Sequence, residues 1–197
     1  CPGAVVKNNV IAFNSGGKDY SGGGFWATGQ DQNTVVTLKN NTIAYNNSPA
    51  GSSQWSGKAG GIWVFSIKLL VENNIVWGNT QTAGKPIAQS GGSLQLKYNC
   101  VQTGFSGTAT ITADPVFRDT LGFVPEAGSP AIDAGNPDLA EQDHSLNGRR
   151  AAFPARGGLP NDLGAYGGAD PSNPACPESF APAPVFSRVL NSPVVNT

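Results

Sequence analysis

One short segment recurs along the first half of the chain, and no other feature restricts its fold as much. Three copies align residue for residue: Ala4-Val5-Val6-Lys7-Asn8-Asn9-Val10-Ile11-Ala12-Phe13-Asn14, Val36-Thr37-Leu38-Lys39-Asn40-Asn41-Thr42-Ile43-Ala44-Tyr45-Asn46 and Leu69-Leu70-Val71-Glu72-Asn73-Asn74-Ile75-Val76-Trp77-Gly78-Asn79. A fourth, Leu94-Gln95-Leu96-Lys97-Tyr98-Asn99-Cys100-Val101-Gln102, carries Tyr98-Asn99 where the others have Asn-Asn. The Asn pairs stand 32 and then 33 residues apart, and the fourth copy follows after 25. A second motif, Gly23-Gly24-Phe25-Trp26, returns 37 residues later as Gly60-Gly61-Ile62-Trp63. Repetition at such periods marks an array of stacked units rather than a core closed by unrelated elements.

Each copy reads as strand, turn, strand. Val36/Leu38, Leu69/Val71 and Leu94/Leu96 alternate as in a half-buried strand. Asn tolerates left-handed backbone angles and bonds its own backbone, so Asn-Asn turns the chain. A second short strand follows at Ile43, Val76 and Val101, and the Gly-Gly-aromatic motif predicts a third. No helical period survives over residues 1–112, because Gly, Asn and Thr interrupt it. Three short strands per repeat predict a parallel β-solenoid, each strand pairing with its equivalent about 4.8 Å away. Val6, Leu38, Val71 and Leu96 are expected to form one buried column, with the Asn pairs as a ladder at the corner. A β-sandwich is the competing architecture, but it has no reason to repeat one segment three times.

Composition narrows the function classes. Twelve Lys+Arg against thirteen Asp+Glu gives a net charge of −1, which argues against a basic nucleic-acid binder. Only 13% of residues are charged. With the Asn, Thr, Ser and Gly-rich texture, this points to an extracellular or cell-surface setting. No apolar run approaches the ~20 residues of a membrane-spanning helix. Cys1, Cys100 and Cys176 make an odd set without a C-x-x-C spacing, and His144 is the single histidine, so a structural zinc site is not expected. Cys176 is the candidate disulfide partner of Cys100. Cys1 lies about three turns away, roughly 14 Å, beyond the ~7 Å that a disulfide spans.

The repeats over residues 1–102 resemble those of right-handed parallel β-helix proteins, the group that includes pectate lyases and many bacterial surface proteins. Beyond them, Asp114-Pro115-Val116-Phe117, Gly128-Ser129-Pro130-Ala131-Ile132-Asp133-Ala134-Gly135, Asp143 with Gly148 and Arg149, and Asp162-Leu163-Gly164-Ala165-Tyr166 resemble the segment that follows the repeats in secreted bacterial members. Gly167 departs from the Glu that usually comes next. The resemblance implies an all-β fold: a right-handed parallel β-helix of about four turns over 1–112, a C-terminal cap over 113–168 and an extended Pro-rich tail over 169–197. Ile132, Leu163 and Tyr166 are expected to plug the end of the core.

An enzyme of this type needs clustered carboxylates on one flank. The repeat region holds only Asp19, Asp31 and Glu72, at non-equivalent positions. Lys39, Lys68 and Lys97 read as solvated strand-edge charges, and His144 as a surface residue. The leading expectation is therefore a non-catalytic module with no cofactor, either binding polysaccharide or forming part of a surface assembly. The alternative is the C-terminal part of a polysaccharide lyase or glycoside hydrolase whose catalytic residues lie on preceding turns. The first repeat begins with no cap before it, so another chain or further turns are expected on that open end. Trp26, Trp63 and Phe65 are candidate carbohydrate contacts on the outer face, unless the loops 14–24 and 46–60 fold over them. Asp133, Asp143, Asn147 and Asp162 are candidate ligands for calcium, though they do not follow the usual loop spacing.

Overall fold

The structure is a computed structural model that describes residues 3–17, 22–51, 58–82, 85–102, 105–138, 155, 158 and 160–168. Eleven strands follow in chain order: β1 (Ala4–Lys7), β2 (Val10–Ala12), β3 (Phe25–Thr28), β4 (Val35–Lys39), β5 (Thr42–Ala44), β6 (Asn47–Ser48), β7 (Ile62–Glu72), β8 (Ile75–Trp77), β9 (Thr80–Gln81), β10 (Ile87–Lys97) and β11 (Cys100–Val101). No helix occurs among the described residues. Every strand pair is parallel and joins one repeat to the next. The fold is all-β and compatible with a solenoid.

The pairing keeps the register of the aligned repeats. One sheet runs β1-β4-β7-β10, with β3 also on β7; a second runs β2-β5-β8-β11; β6 and β9 form a third. Val6 pairs with Leu38, Leu38 with Val71 and Val71 with Leu96, so the predicted column forms. Its side chains face Ile43, Val76 and Val101 from the second sheet in one apolar interior. The first residue of each corner pair takes the left-handed conformation, at Asn8, Asn40, Asn73 and Tyr98. The second turns inward. Asn9 Nδ2 donates to Asn41 Oδ1 at 3.1 Å, Asn41 Nδ2 to Asn74 Oδ1 at 3.0 Å, and Asn74 Nδ2 to Asn99 Oδ1 at 3.3 Å. These amides also donate to strand carbonyls, as Asn74 Nδ2 does to Leu38 O and Glu72 O, both at 2.8 Å. A buried amide with its donors and acceptor engaged costs little; one without would destabilise the corner.

Two features were not anticipated. The third strand is not a separate layer: β3 lies in the same sheet as β4, and in the next repeats the two merge into the continuous β7 and β10. Ser66, at φ 55°, bends β7 where the loop 29–34 separates β3 from β4. That loop accounts for the difference between the Gly-Gly and Asn-Asn spacings. In addition, a second asparagine column closes the far end of the short strands. Asn14 Nδ2 donates to Asn46 Oδ1 at 3.0 Å, and Asn46 Nδ2 to Asn79 Oδ1 at 2.9 Å.

The segment after the repeats departs from its expected place over the end of the core. Residues 105–111 do extend the last repeat: Thr108 bridges Lys97, Ile111 bridges Cys100, and Phe105 packs on the interior. Leu163 and Tyr166, however, cover the outer face of the second sheet. Leu163 packs with Ile75 and Cys100, and Tyr166 with Val10, Ala44 and Phe123. Ile132 is only half-buried. The strip 161–168 crosses successive repeats: Gly164 N donates to Asn73 O, Ala165 N to Thr42 Oγ1 at 3.0 Å, and Asn8 Nδ2 to Gly167 O at 2.9 Å. The cause is visible in the short strands. Val-Ile-Ala, Thr-Ile-Ala and Ile-Val-Trp are apolar on both faces, as strands buried on both sides are. Their outer face must therefore be covered.

Candidate functional site

The first half of the larger sheet presents Trp26, Trp63 and Phe65 outward and Phe25 inward. Side chains alternate along a strand. Ile62 and Val64 point into the interior and are fully buried, which sends Trp63 and Phe65 to the other face. Trp26 pairs with Trp63 and Thr28 with Phe65, while Ala88 and Ser90 follow on β10. The indoles are adjacent, as the spacing predicts, but they are not equivalent. Trp26 is 54% exposed and Phe65 39%, whereas Trp63 is only 6% exposed. A platform of two open indoles is thus corrected to one indole and one phenyl ring, with the Thr28 and Ser90 positions beside them.

The Gly-Gly motifs explain how these strands start so close to their neighbours. Gly23 N donates to Ala59 O, Gly24 N to Gly60 O and Phe25 N to Gly61 O, tying the first motif to the second. A Cβ on Gly23 would sit 2.5 Å from Asn47 O and from Gly60 O, so the chain passes only without a side chain. Gly22, at φ 99°, lies against the Cβ atoms of Trp26 and Trp63. The aromatic positions are thereby held on rigid backbone.

Most acidic side chains of the described residues accept loop backbone N–H groups. Asp31 Oδ1 accepts the N–H groups of Asn33 and Thr34 at 2.8 and 3.0 Å. Asp114 accepts from Val116 N, and Glu72 Oε1 from Asn136 Nδ2. Asp119 accepts from Leu121 N and Gly122 N; these bonds hold its carboxyl below the usual range, with Arg118 adding to the effect. Lys39 and Lys97 flank Glu72 in register on the outer face, and Lys68 pairs with Val35 and Ser93. Asp19 and His144 lie outside the described residues.

Of the calcium candidates, Asp133 and Asp162 are brought together, and Asp143 and Asn147 lie outside the described residues. Asp133 N donates to Asp162 Oδ1 at 3.0 Å, and Asp133 Oδ1 accepts from Gly158 N at 2.7 Å. The neighbouring Asn161 is fully buried with neither side-chain atom bonded. The described residues thus offer two carboxylates and one orphaned amide oxygen, fewer than the six to eight oxygens calcium takes. No group of three or more His, Cys, Asp or Glu occurs among them.

Cys100 faces outward from β11 but lies under the covering strip, and its thiol donates to Ala113 O at 3.2 Å. Burial pushes its pKa up to about 12, with the Asp114 charge adding to the effect. The thiol is free, and Cys176 lies outside the described residues. A thiol held protonated in this way is a poor nucleophile. No helix among the described residues is long and apolar enough to cross a membrane. In comparisons with known proteins, the chain matches no family, no curated relative and no solved structure.

Proposed function

We propose that this chain is a right-handed parallel β-helix of about four turns, acting outside the cell as a non-catalytic module that holds polysaccharide on the face bearing Trp26 and Phe65. The supporting observation is the pair of exposed aromatic rings on adjacent parallel strands, about 4.8 Å apart along the stack. A pyranose ring has an apolar face that stacks on an indole and a hydroxyl rim that bonds to Thr28 and Ser90. The strands hold both rings in place before binding, which lowers the ordering cost of association. Carboxylates bonded into loop turns support a binding role over hydrolysis or elimination. With a net charge of −1, the chain suits a polysaccharide better than nucleic acid or a membrane surface.

The test is affinity electrophoresis through gels cast with pectin, alginate or xylan. Trp26→Ala is expected to abolish retardation on the gel that slows the parent chain, with unfolding unchanged; Trp63→Ala, at a buried position, is the wrong probe. Equal retardation of Trp26→Ala and parent would reject the binding face. Release of unsaturated products or reducing ends by the chain alone would establish a lyase or hydrolase instead.

A further inference from the structure

We infer that the glycan face proposed above continues across β7 to Gly91, where the amide of Gln32 and the hydroxyl of Ser66 bind two neighbouring hydroxyls of a sugar unit. This extension rests on that reading of Trp26 and Phe65 and adds the groups that select the sugar.

A rigid arch carries Gln32. The loop 29–34 is tied to β7 on both sides of Ser66: Gly29 N donates to Phe65 O at 3.0 Å, and Lys68 N to Thr34 O at 2.8 Å. Asp31 Oδ1 fixes the crown by accepting from Asn33 N and Thr34 N. A Cβ on Gly29 would lie 2.7 Å from Ile67 Cγ2 and 2.8 Å from Ser66 O, so the arch starts flush against β7. Gln32 stands exposed at the crown, and its side chain runs along the outside of the stack as far as Gly91 on β10.

Gly91 leaves a gap in that outer surface. β10 places Ser90 beside Phe65 and Gly92 beside Ile67, so Gly91 faces Ser66. All three bend residues are left-handed: Ser66 at φ 55°, Gly91 at 70° and Gly92 at 76°. The two glycines differ in what they avoid. A Cβ on Gly92 would overlap Ile67 O, so that position admits no side chain. A Cβ on Gly91 would meet Ser66 Oγ at 3.5 Å, Ser66 Cα at 3.7 Å and Gln32 Nε2 at 3.8 Å, all ordinary contacts. Ser66 itself shows that this bend accepts a side chain one repeat earlier. Gly91 therefore keeps open the space onto which Ser66 Oγ and Gln32 Nε2 converge. Within the described residues neither atom donates a hydrogen bond. An amide and a hydroxyl each offer donors and acceptors, the pattern that paired sugar hydroxyls match. Phe65 and Ser90 adjoin the gap and continue the ring-and-hydroxyl surface. From Trp26 to Gly91 the path crosses two strand spacings and three residues, roughly 14 Å, so a run of linked sugar units touches both ends and a single unit does not.

The experiment is affinity electrophoresis of the intact chain through pectin, alginate and xylan gels, comparing retardation constants. Gln32→Ala removes an exposed amide, and Ser66→Gly removes the hydroxyl while suiting the left-handed backbone. Each is expected to weaken retardation about fivefold, the effect of one lost hydrogen bond, with the urea unfolding midpoint of Gln32→Ala unchanged. Gly91→Asn, a residue that tolerates this conformation, fills the gap and is expected to weaken retardation at least as much. Gln95→Ala, exposed on the same face of β10 beyond the gap, is expected to match the parent. Parent-like retardation of Gln32→Ala and Ser66→Gly on a gel where Trp26→Ala has lost it would overturn the extension and leave the glycan face standing. A loss in Gln95→Ala equal to that in Gln32→Ala would reject this path in favour of one running straight along the strands. No retardation of the parent on any of the gels would remove the glycan face and the extension together.

Discussion

The two main sheets have the same parallel pairing and opposite outer faces. Over β1, β4, β7 and β10 the outward positions include Lys7, Lys39, Glu72 and Lys97, with Trp26 and Phe65 farther along, and most of this face meets solvent. Over β2, β5, β8 and β11 they are Val10, Ala12, Thr42, Ala44, Ile75, Trp77 and Cys100, and residues from 115–136 and 161–168 cover them. A sheet that alternates apolar with polar residues can stand in water, whereas one that is apolar on both faces needs a second layer. Burial on two sides thus recruits the chain beyond the repeats, and the other sheet keeps Trp26 and Phe65 open to solvent.

The strongest way to break this contrast is to remove a large side chain from the covering layer. Phe123 is buried against Phe13, Tyr45 and Phe117, with ring centroids 5.2–5.9 Å away. Phe123→Ala is expected to destabilise the fold by about 3–5 kcal/mol in urea unfolding. An effect no larger than that of an exposed-face substitution would mean that the layer is loosely attached. A smaller loss, about 1–3 kcal/mol, is expected from Gly164→Ala. Its φ is 89°, and the new Cβ would lie 2.7 Å from Thr42 Oγ1 and 2.8 Å from Ile75 Cδ1. The diagnostic readout is faster hydrogen exchange in the covering strip and β5 than in β4; uniform acceleration would contradict a strip that seals one sheet.

The smallest effect sharpens the comparison through pH. The Cys100 thiol titrates near 9.0 in its unperturbed form and at about 12 in the folded chain. Between these values the unfolded chain has lost a proton that the folded chain keeps, so stability falls as pH rises. About 1 kcal/mol is expected to be lost by pH 10. Cys100→Ala should flatten that slope, and a slope identical to the parent's would show that the cover does not exclude water. Burial likewise raises the Tyr166 pKa, with the Asp119 charge adding to the effect, so its contribution has the same sign and enters at higher pH.

Much of the stack was legible in residue spacing. The Val6-Leu38-Val71-Leu96 column, the first asparagine ladder and the Trp26–Trp63 pairing all follow from aligning the copies. The second ladder was also written there, in the asparagine that ends the first three copies, but its role appears only when Asn14, Asn46 and Asn79 stand above one another. Trp63 shows a limit of alternation: it establishes which face a side chain takes, and not what else covers that face. The same limit hid the course of Leu163 and Tyr166. Their apolar character required burial, but three equally spaced short strands away from the chain's end were as able to receive them as the end itself.

By itself the sequence determined everything that depends on translation by one repeat: parallel pairing, register, the inward columns and the left-handed corners. Those interactions join equivalent residues, so one aligned period contains them all. The tertiary structure alone decided which aromatic stays open and where the segment beyond the repeats lies. These depend on contacts between non-equivalent parts of the chain, for which no period exists to be read.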